Sequence, residues 1–184
     1  PLHVNFSDAA YLDGLDLTAK DFYPLLEAAG ENIPKTSTPT LDDFRKAFKE
    51  VMEESPGCQM LSIHLSGGLR STVNIAESAA KSLSSDIYVF DSRNISFGMG
   101  LQVFEAAEMI EKGHTMQEIL NHLSLVAQNT ETMFCLDTLE YLRKGGRIGK
   151  VTAFLGSMLN VKPIIHVKDG VYESFDKVRS QKQA

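Results

Sequence analysis

The sequence predicts an α/β fold: a parallel sheet flanked by helices, followed by a second, smaller α+β unit with antiparallel strands. Three observations predict it. Between residues 59 and 128, short β-prone apolar runs alternate with segments of helical period, the pattern of crossover connections in a parallel sheet. After Asn129 the pattern changes, with Met133-Phe134-Cys135-Leu136 and residues 163–167 reading as strands. Asp169-Gly170 then supplies a two-residue hairpin turn into Val171-Tyr172-Glu173-Ser174. The expected division is therefore an α/β domain at 1–128 and the start of an α+β domain at 129–184.

In chain order, His3-Val4-Asn5-Phe6 alternates with period two, as a strand does. Thr18-Ala19-Lys20-Asp21 reads as a capping box that opens a helix through Phe22, Leu25, Leu26 and Ala29 to Gly30. Pro24 lies beyond the first turn and predicts a kink or a later start. Ile33-Pro34-Lys35-Thr36-Ser37-Thr38-Pro39-Thr40 reads as a loop, rigid at two prolines and dense in hydroxyls between them. A second capping box, Thr40-Leu41-Asp42-Asp43, starts a helix whose inward stripe is Leu41, Phe44, Phe48 and Val51.

Residues 59–65 read as a strand, followed by the glycine-rich turn Ser66-Gly67-Gly68-Leu69-Arg70-Ser71-Thr72 and a helix with Val73, Ala76, Ala79, Ala80 and Leu83 inward. Ile87-Tyr88-Val89-Phe90 is the next strand and ends in Asp91-Ser92. Residues 98–113 form a helix carrying Leu101, Phe104, Ala107 and Ile110, and Thr115-Met116-Gln117-Glu118 caps another carrying Ile119, Leu120, Leu123 and Val126. Further on, Leu139-Glu140-Tyr141-Leu142-Arg143-Lys144 runs into Gly145-Gly146-Arg147. Paired glycines there mark a helix end that needs positive φ or a close approach, with cations beside it. A small-residue amphipathic run then continues to Asn160.

Composition bounds the function. A chain of 184 residues, 43% hydrophobic, has enough apolar surface for a substantial core. The net charge of −6 argues against nucleic-acid binding as the main activity, because phosphate backbones are met by clustered Lys and Arg. Cys58 and Cys135 are isolated, which suits a reducing compartment without a disulfide framework or thiolate zinc site; the protein reads as cytoplasmic. No apolar run approaches the ~18 residues of a membrane span, and the start does not read as a signal peptide. A first residue of Pro and the polar end Arg179-Ser180-Gln181-Lys182-Gln183-Ala184 predict that both ends of a longer chain are missing.

Two loops are candidates for chemistry: Thr36-Ser37-Thr38 and Ser66 to Thr72. Each leads into a helix, whose unpaired N–H groups and partial positive charge receive carboxylate or phosphate well. Such loops gather at the carboxyl ends of the strands in α/β sheets. Local reading leaves two outcomes open for each, an anion site or a simple helix cap and turn. Other constellations fail. There is no Walker-type phosphate loop, Gly98-Met99-Gly100 lacks a third glycine and a preceding strand, and no His-Glu-x-x-His or Gly-x-Ser-x-Gly is present. Glu118 and His122 share a helix face without a third ligand. Ser66 and His64, two apart, are not aimed at each other, and His64 reads as a partly buried strand residue.

Taken together, Pro34-Lys35-Thr36-Ser37 before Pro39, the Ser66 to Thr72 turn, Asp91-Ser92, Leu139 to Lys150, Leu155-Gly156-x-x-Leu159-x-x-Lys162-Pro163, Asp169-Gly170 and Lys177-Val178-Arg179 resemble the DegV family of bacterial lipid-binding proteins. The resemblance spans essentially the whole chain in the family's order. It implies a DegV-like two-domain fold with a long-chain fatty acid in an interdomain tunnel, no cofactor, and no enzymatic activity of its own. It also implies a partner, the catalytic subunit of fatty acid kinase, which phosphorylates the presented carboxylate with ATP. On that resemblance Thr36, Ser37, Ser66, Gly67, Gly68, Arg70 and Thr72 surround the head group, while Arg147 and Arg179 match arginines near the head-group opening and the kinase-facing surface.

Family members usually read Ser-Ser-x-Leu-Ser-Gly-Thr at the second loop; here Gly67, Arg70 and Ser71 depart from it. An inward Arg70 would pair bidentately with a carboxylate, whereas an outward one would leave the site a donor short. The family segments before and after this sequence, including a histidine near the head group, are not in it. Met99, Met109, Met133 and Met158 suit either an adaptable acyl-chain wall or plain core. Two other functions stay open at this point: a small-molecule enzyme acting on a carboxylated or phosphorylated substrate through Ser66, Thr36 or Arg147, and a regulatory module whose pocket Arg70 has closed.

Overall fold

The computed structural model describes residues 1–154, 162–180 and 182; the Leu155-to-Leu159 motif and Met158 lie outside the described residues. Strands β1 (His3–Asn5), β2 (Ala10–Leu12) and β3 (Lys35–Ser37) make a small antiparallel sheet in the order β2-β1-β3. Helix α1 (Ala19–Ala29) lies between β2 and β3 in sequence, with Thr18 accepting a hydrogen bond from the Asp21 N–H. It starts where the capping signal puts it and continues through Pro24. Lys35–Ser37 corrects the reading of residues 33–40 as a loop. Val4 pairs with Thr36 in the antiparallel ladder, so a partner distant in sequence makes a strand of a segment with no strand periodicity of its own.

The α/β layer follows: α2 (Leu41–Glu54), β4 (Met60–His64), α3 (Thr72–Lys81), β5 (Ile87–Asp91), α4 (Ser96–Glu111) and α5 (Met116–Asn129). Strands β4 and β5 pair in parallel from Met60↔Ile87 to His64↔Asp91. Alternation along them feeds two cores. Met60 and Val89 pack with Phe48, Ala76, Ala79 and Ala80 of α2 and α3, while Leu61, Ile63 and Phe90 pack with Ala106, Ile119 and Leu123 of α4 and α5. Helices therefore cover both faces of this sheet. Full capping boxes at Thr40 and Thr115 fix the starts of α2 and α5.

Helix α4 turns a different stripe inward from the one its bulkiest residues suggest. Gly98, Gln102 and Ala106 are buried, whereas Phe104 and Ile110 are more than half exposed. Val51 of α2 is likewise exposed. The buried Gln102 Nε2 donates to the Ser92 and Gly98 carbonyls, which fixes the polar side of α4 against the end of β5.

The last unit contains β6 (Thr132–Cys135), α6 (Glu140–Lys144), a 3-10 helix (Gly149–Phe154), β7 (Lys162–Lys168) and β8 (Val171–Val178), with antiparallel order β6-β7-β8. Its core is Leu139, Val151 and Ile165, with Phe134, Leu142, Ile148 and Tyr172 packed against them. The Asp169-Gly170 turn has φ of 50° and 80°, the paired positive φ of a type I′ hairpin. Asn94 ties this unit to the α/β layer. It is buried, its Nδ2 donates to the Thr130 carbonyl at 2.8 Å, and its Oδ1 accepts from Thr132 Oγ1 at 2.6 Å. No helix among the described residues is long and apolar enough to cross a membrane, and no cluster of His, Cys, Asp or Glu there is suited to a metal ion.

Candidate functional site

The carboxyl ends of β4 and β5 build the first wall. Beyond β4, the Leu69 and Arg70 amides both return to the Ser66 carbonyl, closing a tight turn ahead of α3. Ser66 is 1% exposed. Its hydroxyl donates to the Gly170 carbonyl at 2.6 Å and accepts from the Gly68 amide at 3.1 Å. The Gly67 amide donates to Asp91 Oδ2, and Asp91 Oδ1 takes the Arg93 amide. Arg93, itself at φ 51°, pairs with Asp169 at 3.0 Å. A Cβ on Gly68 would stand 2.6 Å from the Gly170 carbonyl oxygen, so the glycine is needed for the hairpin to seat on this loop.

Arg70 and Arg147 close the second wall on Thr36. The Arg70 guanidinium donates from Nη1 to the Thr36 carbonyl at 3.3 Å and from Nη2 to Thr36 Oγ1. Arg147 Nη2 reaches the same Oγ1 at 3.4 Å, while its Nη1 holds the Gly145 carbonyl at 2.8 Å. The turn that aims Arg147 is a Schellman motif. The Arg147 amide bonds the Leu142 carbonyl, the Gly146 amide bonds Arg143, and Gly146 takes φ 72°. The paired glycines therefore end α6 as their spacing predicts.

Neither guanidinium has a carboxylate partner among the described residues. Two unit charges this close repel by roughly 3 kcal/mol at an effective dielectric of 20. An anion between them would remove that penalty. Beside the pair, Gly68, Leu69, Gly146, Arg147, Gly149, Lys150, Val171 and Tyr172 line a cleft of about 200 Å³ between the glycine loop and the hairpin unit. Burial pushes the Tyr172 phenol up, with Arg147 opposing the shift, so the hydroxyl stays protonated and able to donate near neutrality.

The structure thus gathers Thr36, Ser66, Gly67, Gly68, Arg70 and Arg147 around one corner. Thr72, at the start of α3, is buried, and its Oγ1 has no hydrogen-bond partner. Ser37 alternates to the other face of β3 and is exposed. Arg179 follows β8 at the end opposite Gly170, roughly 25 Å of strand away, far from this corner. Sequence reasoning passed over Arg93, Asn94 and Tyr172 as contributors. The available signal was the polar run Asp91-Ser92-Arg93-Asn94 directly after a buried strand.

His64 bonds Ser62 at 2.8 Å rather than Ser66, and its ring packs edge-on to Phe44. Burial holds its imidazole below the ordinary 6.5, with Asp91 partly opposing. Because the folded state favours the neutral ring, this stability is present above 6.5 and is lost as pH falls through the lower folded value. His64→Gln is therefore expected to flatten the fall in melting temperature between pH 7.5 and pH 5. Parallel melting curves for both proteins across that range would assign the acid sensitivity elsewhere.

The DegV family model, described as an uncharacterised protein family, matches residues 1–184. The chain belongs to the DegV family. A DegV domain-containing protein of Deinococcus radiodurans is 37% identical over 184 residues, all of this chain and 64% of that protein. Among solved structures, a DegV family protein from Thermus thermophilus, described for its fatty acid binding, superposes with a TM-score of 0.90 at 36% identity, over all of this chain and 65% of that one. A stearic-acid-binding protein from Eubacterium ventriosum gives 0.88 at 28%, over 100% and 64%. The chain therefore spans just under two thirds of the length of these DegV relatives.

Proposed function

We infer that this DegV chain binds a long-chain fatty acid, holds its carboxylate, and presents it to the catalytic subunit of a bacterial fatty acid kinase in the cytoplasm. The observation that carries the reading is the convergence of Arg70 and Arg147 on Thr36 Oγ1. A carboxylate entering an apolar cleft needs charged donors to replace its water, and guanidiniums supply short charge-assisted bonds. Fatty acid binding by the Thermus thermophilus and Eubacterium ventriosum relatives supports the same ligand class.

The apolar part of the ligand contributes most of the affinity. Each buried methylene stabilises by ~0.8 kcal/mol, so a dozen give on the order of 10 kcal/mol before ordering costs. The cleft of about 200 Å³ is smaller than the roughly 300–1,000 Å³ usual for ligand pockets. It forms the head-group end of a tunnel between units 1–128 and 129–184. The chain acts as a binding subunit, the kinase partner supplies the chemistry, and no cofactor is needed. Arg179, exposed beyond β8, belongs to the partner-facing surface.

Native mass spectrometry of mildly purified protein is expected to show a bound mass in the range of C16–C18 fatty acids, released on denaturation. Only ligand-free protein, with no uptake of added palmitate, would overturn this function.

A further inference from the structure

The head-group corner carries more positive charge than one carboxylate engages. Resting on the fatty-acid reading above, we propose that Arg70 and Arg147 together select a phosphate dianion over a carboxylate, so that the preferred ligand is a single-chain lipid ending in phosphate. A carboxylate has two oxygens and one charge, and a single guanidinium satisfies it bidentately. A terminal phosphate has three free oxygens and carries about −1.5 to −2 near neutrality.

The corner matches that second description in number and placement of donors. Arg70 and Arg147 approach the same Thr36 oxygen from separate segments, the loop after β4 and the turn after α6. Each is held in place independently. The Arg70 amide is anchored on Ser66 and its Nη1 on the Thr36 carbonyl, while Arg147 is anchored through its amide on Leu142 and its Nη1 on Gly145. Thr36 Oγ1 accepts from both guanidiniums and keeps its own proton for a third ligand oxygen. Neighbouring charges are already engaged and do not neutralise the pair. Asp91 takes the Gly67 and Arg93 amides, Arg93 pairs with Asp169, and Lys150 pairs with Glu173.

Two sources share this chemistry: an acyl phosphate formed by the partner kinase, and a phosphate monoester lipid already present in the cell. Competition against a fluorescent fatty acid separates them, with palmitate, hexadecyl phosphate and 1-palmitoyl lysophosphatidate as probes. Hexadecyl phosphate is expected to bind at least tenfold more tightly than palmitate to the unaltered chain. In Arg70→Ser both affinities are expected to fall, that for hexadecyl phosphate at least tenfold more than that for palmitate, so that the ratio drops to about one. Arg70→Gln serves as a second variant for the same ratio. Tight binding of lysophosphatidate as well assigns the site to phosphate monoester lipids with a glycerol linker; tight binding of hexadecyl phosphate without lysophosphatidate restricts it to a phosphate joined directly to the chain end, the shape an acyl phosphate has.

Equal affinity for palmitate and hexadecyl phosphate in the unaltered chain overturns the proposal and leaves fatty-acid binding standing. A gain in affinity for both amphiphiles in Arg70→Ser also overturns it, showing that Arg70 closes the pocket. Failure of all three probes to bind overturns both readings together.

Discussion

Gly170→Ala is expected to destabilise the chain by about 2–4 kcal/mol, a fall in melting temperature of roughly 5–15 °C for a chain of this size. Two effects combine at this residue. Its φ of 80° lies in the left-handed region, where a side chain costs ~1–2 kcal/mol. A Cβ there would also stand 2.5 Å from Ser66 Oγ, the buried hydroxyl that donates to the Gly170 carbonyl itself. Ser66 has no room to retreat, since it also accepts from Gly68. Movement would leave a buried hydroxyl and amide without their partners, at about 1–3 kcal/mol more if neither found another. Gly113 supplies the control, with the same φ of 80° and nothing within 4 Å of its added Cβ. Gly113→Ala should cost only the backbone share. Equal losses in the two variants would show that the hairpin does not bear on Ser66 in solution. In thermal melts with and without palmitate, Gly170→Ala is also expected to lose most of the ligand-induced stabilisation, because the same hairpin forms one side of the cleft.

The parts of this fold that are local in sequence were legible in it. Thr40 and Thr115 announce their helices through side chains three residues apart, and Asp169-Gly170 announces its hairpin through backbone conformation. Gly145-Gly146 marks the end of α6 for the same reason. Features made by distant partners were not legible. Lys35–Ser37 becomes a strand because β1 lies beside it, and its alternation then separates Thr36 from Ser37, which the sequence presents as one hydroxyl cluster. Helix α4 is apolar on more than one side, so its bulky residues could not report which side packs, and the choice of Gly98, Gln102 and Ala106 follows from the close approach of Asn94 and Thr132.

The candidate site divides in the same way. Its backbone scaffold was visible as glycines and turn residues, and family resemblance singled out Arg147, which the structure brings to Thr36. The direction of Arg70 was not visible, because an arginine after a tight turn can extend over either face, and only Thr36 on another strand settles it. Arg93 holds the corner together through Asp169, 76 residues away, a contact no local pattern encodes.

If the chain presents its fatty acid to a kinase as proposed, Arg147→Ala is expected to slow phosphorylation of the bound acid by roughly 10²–10³ while weakening palmitate binding by about tenfold or less. The difference follows from how charge develops. Substrate binding places a single negative charge at the corner, and Arg70 remains to meet it. Phosphoryl transfer in that complex would bring a second negative centre to the same head group as the new oxygen–phosphorus bond forms, with Arg147 the remaining cation to meet it. Only an interaction stronger in the transition state than in the ground state raises the rate, so removing Arg147 should appear chiefly in turnover. Its scaffold should survive the change, because the Schellman bonds of the turn run through the backbone of residues 142–147. Single-turnover kinetics with the kinase's catalytic subunit, set beside palmitate titration of the same variant, separates the two quantities. Equal losses in both would make Arg147 an ordinary ligand anchor, and the dianion selectivity would then rest on Arg70 alone.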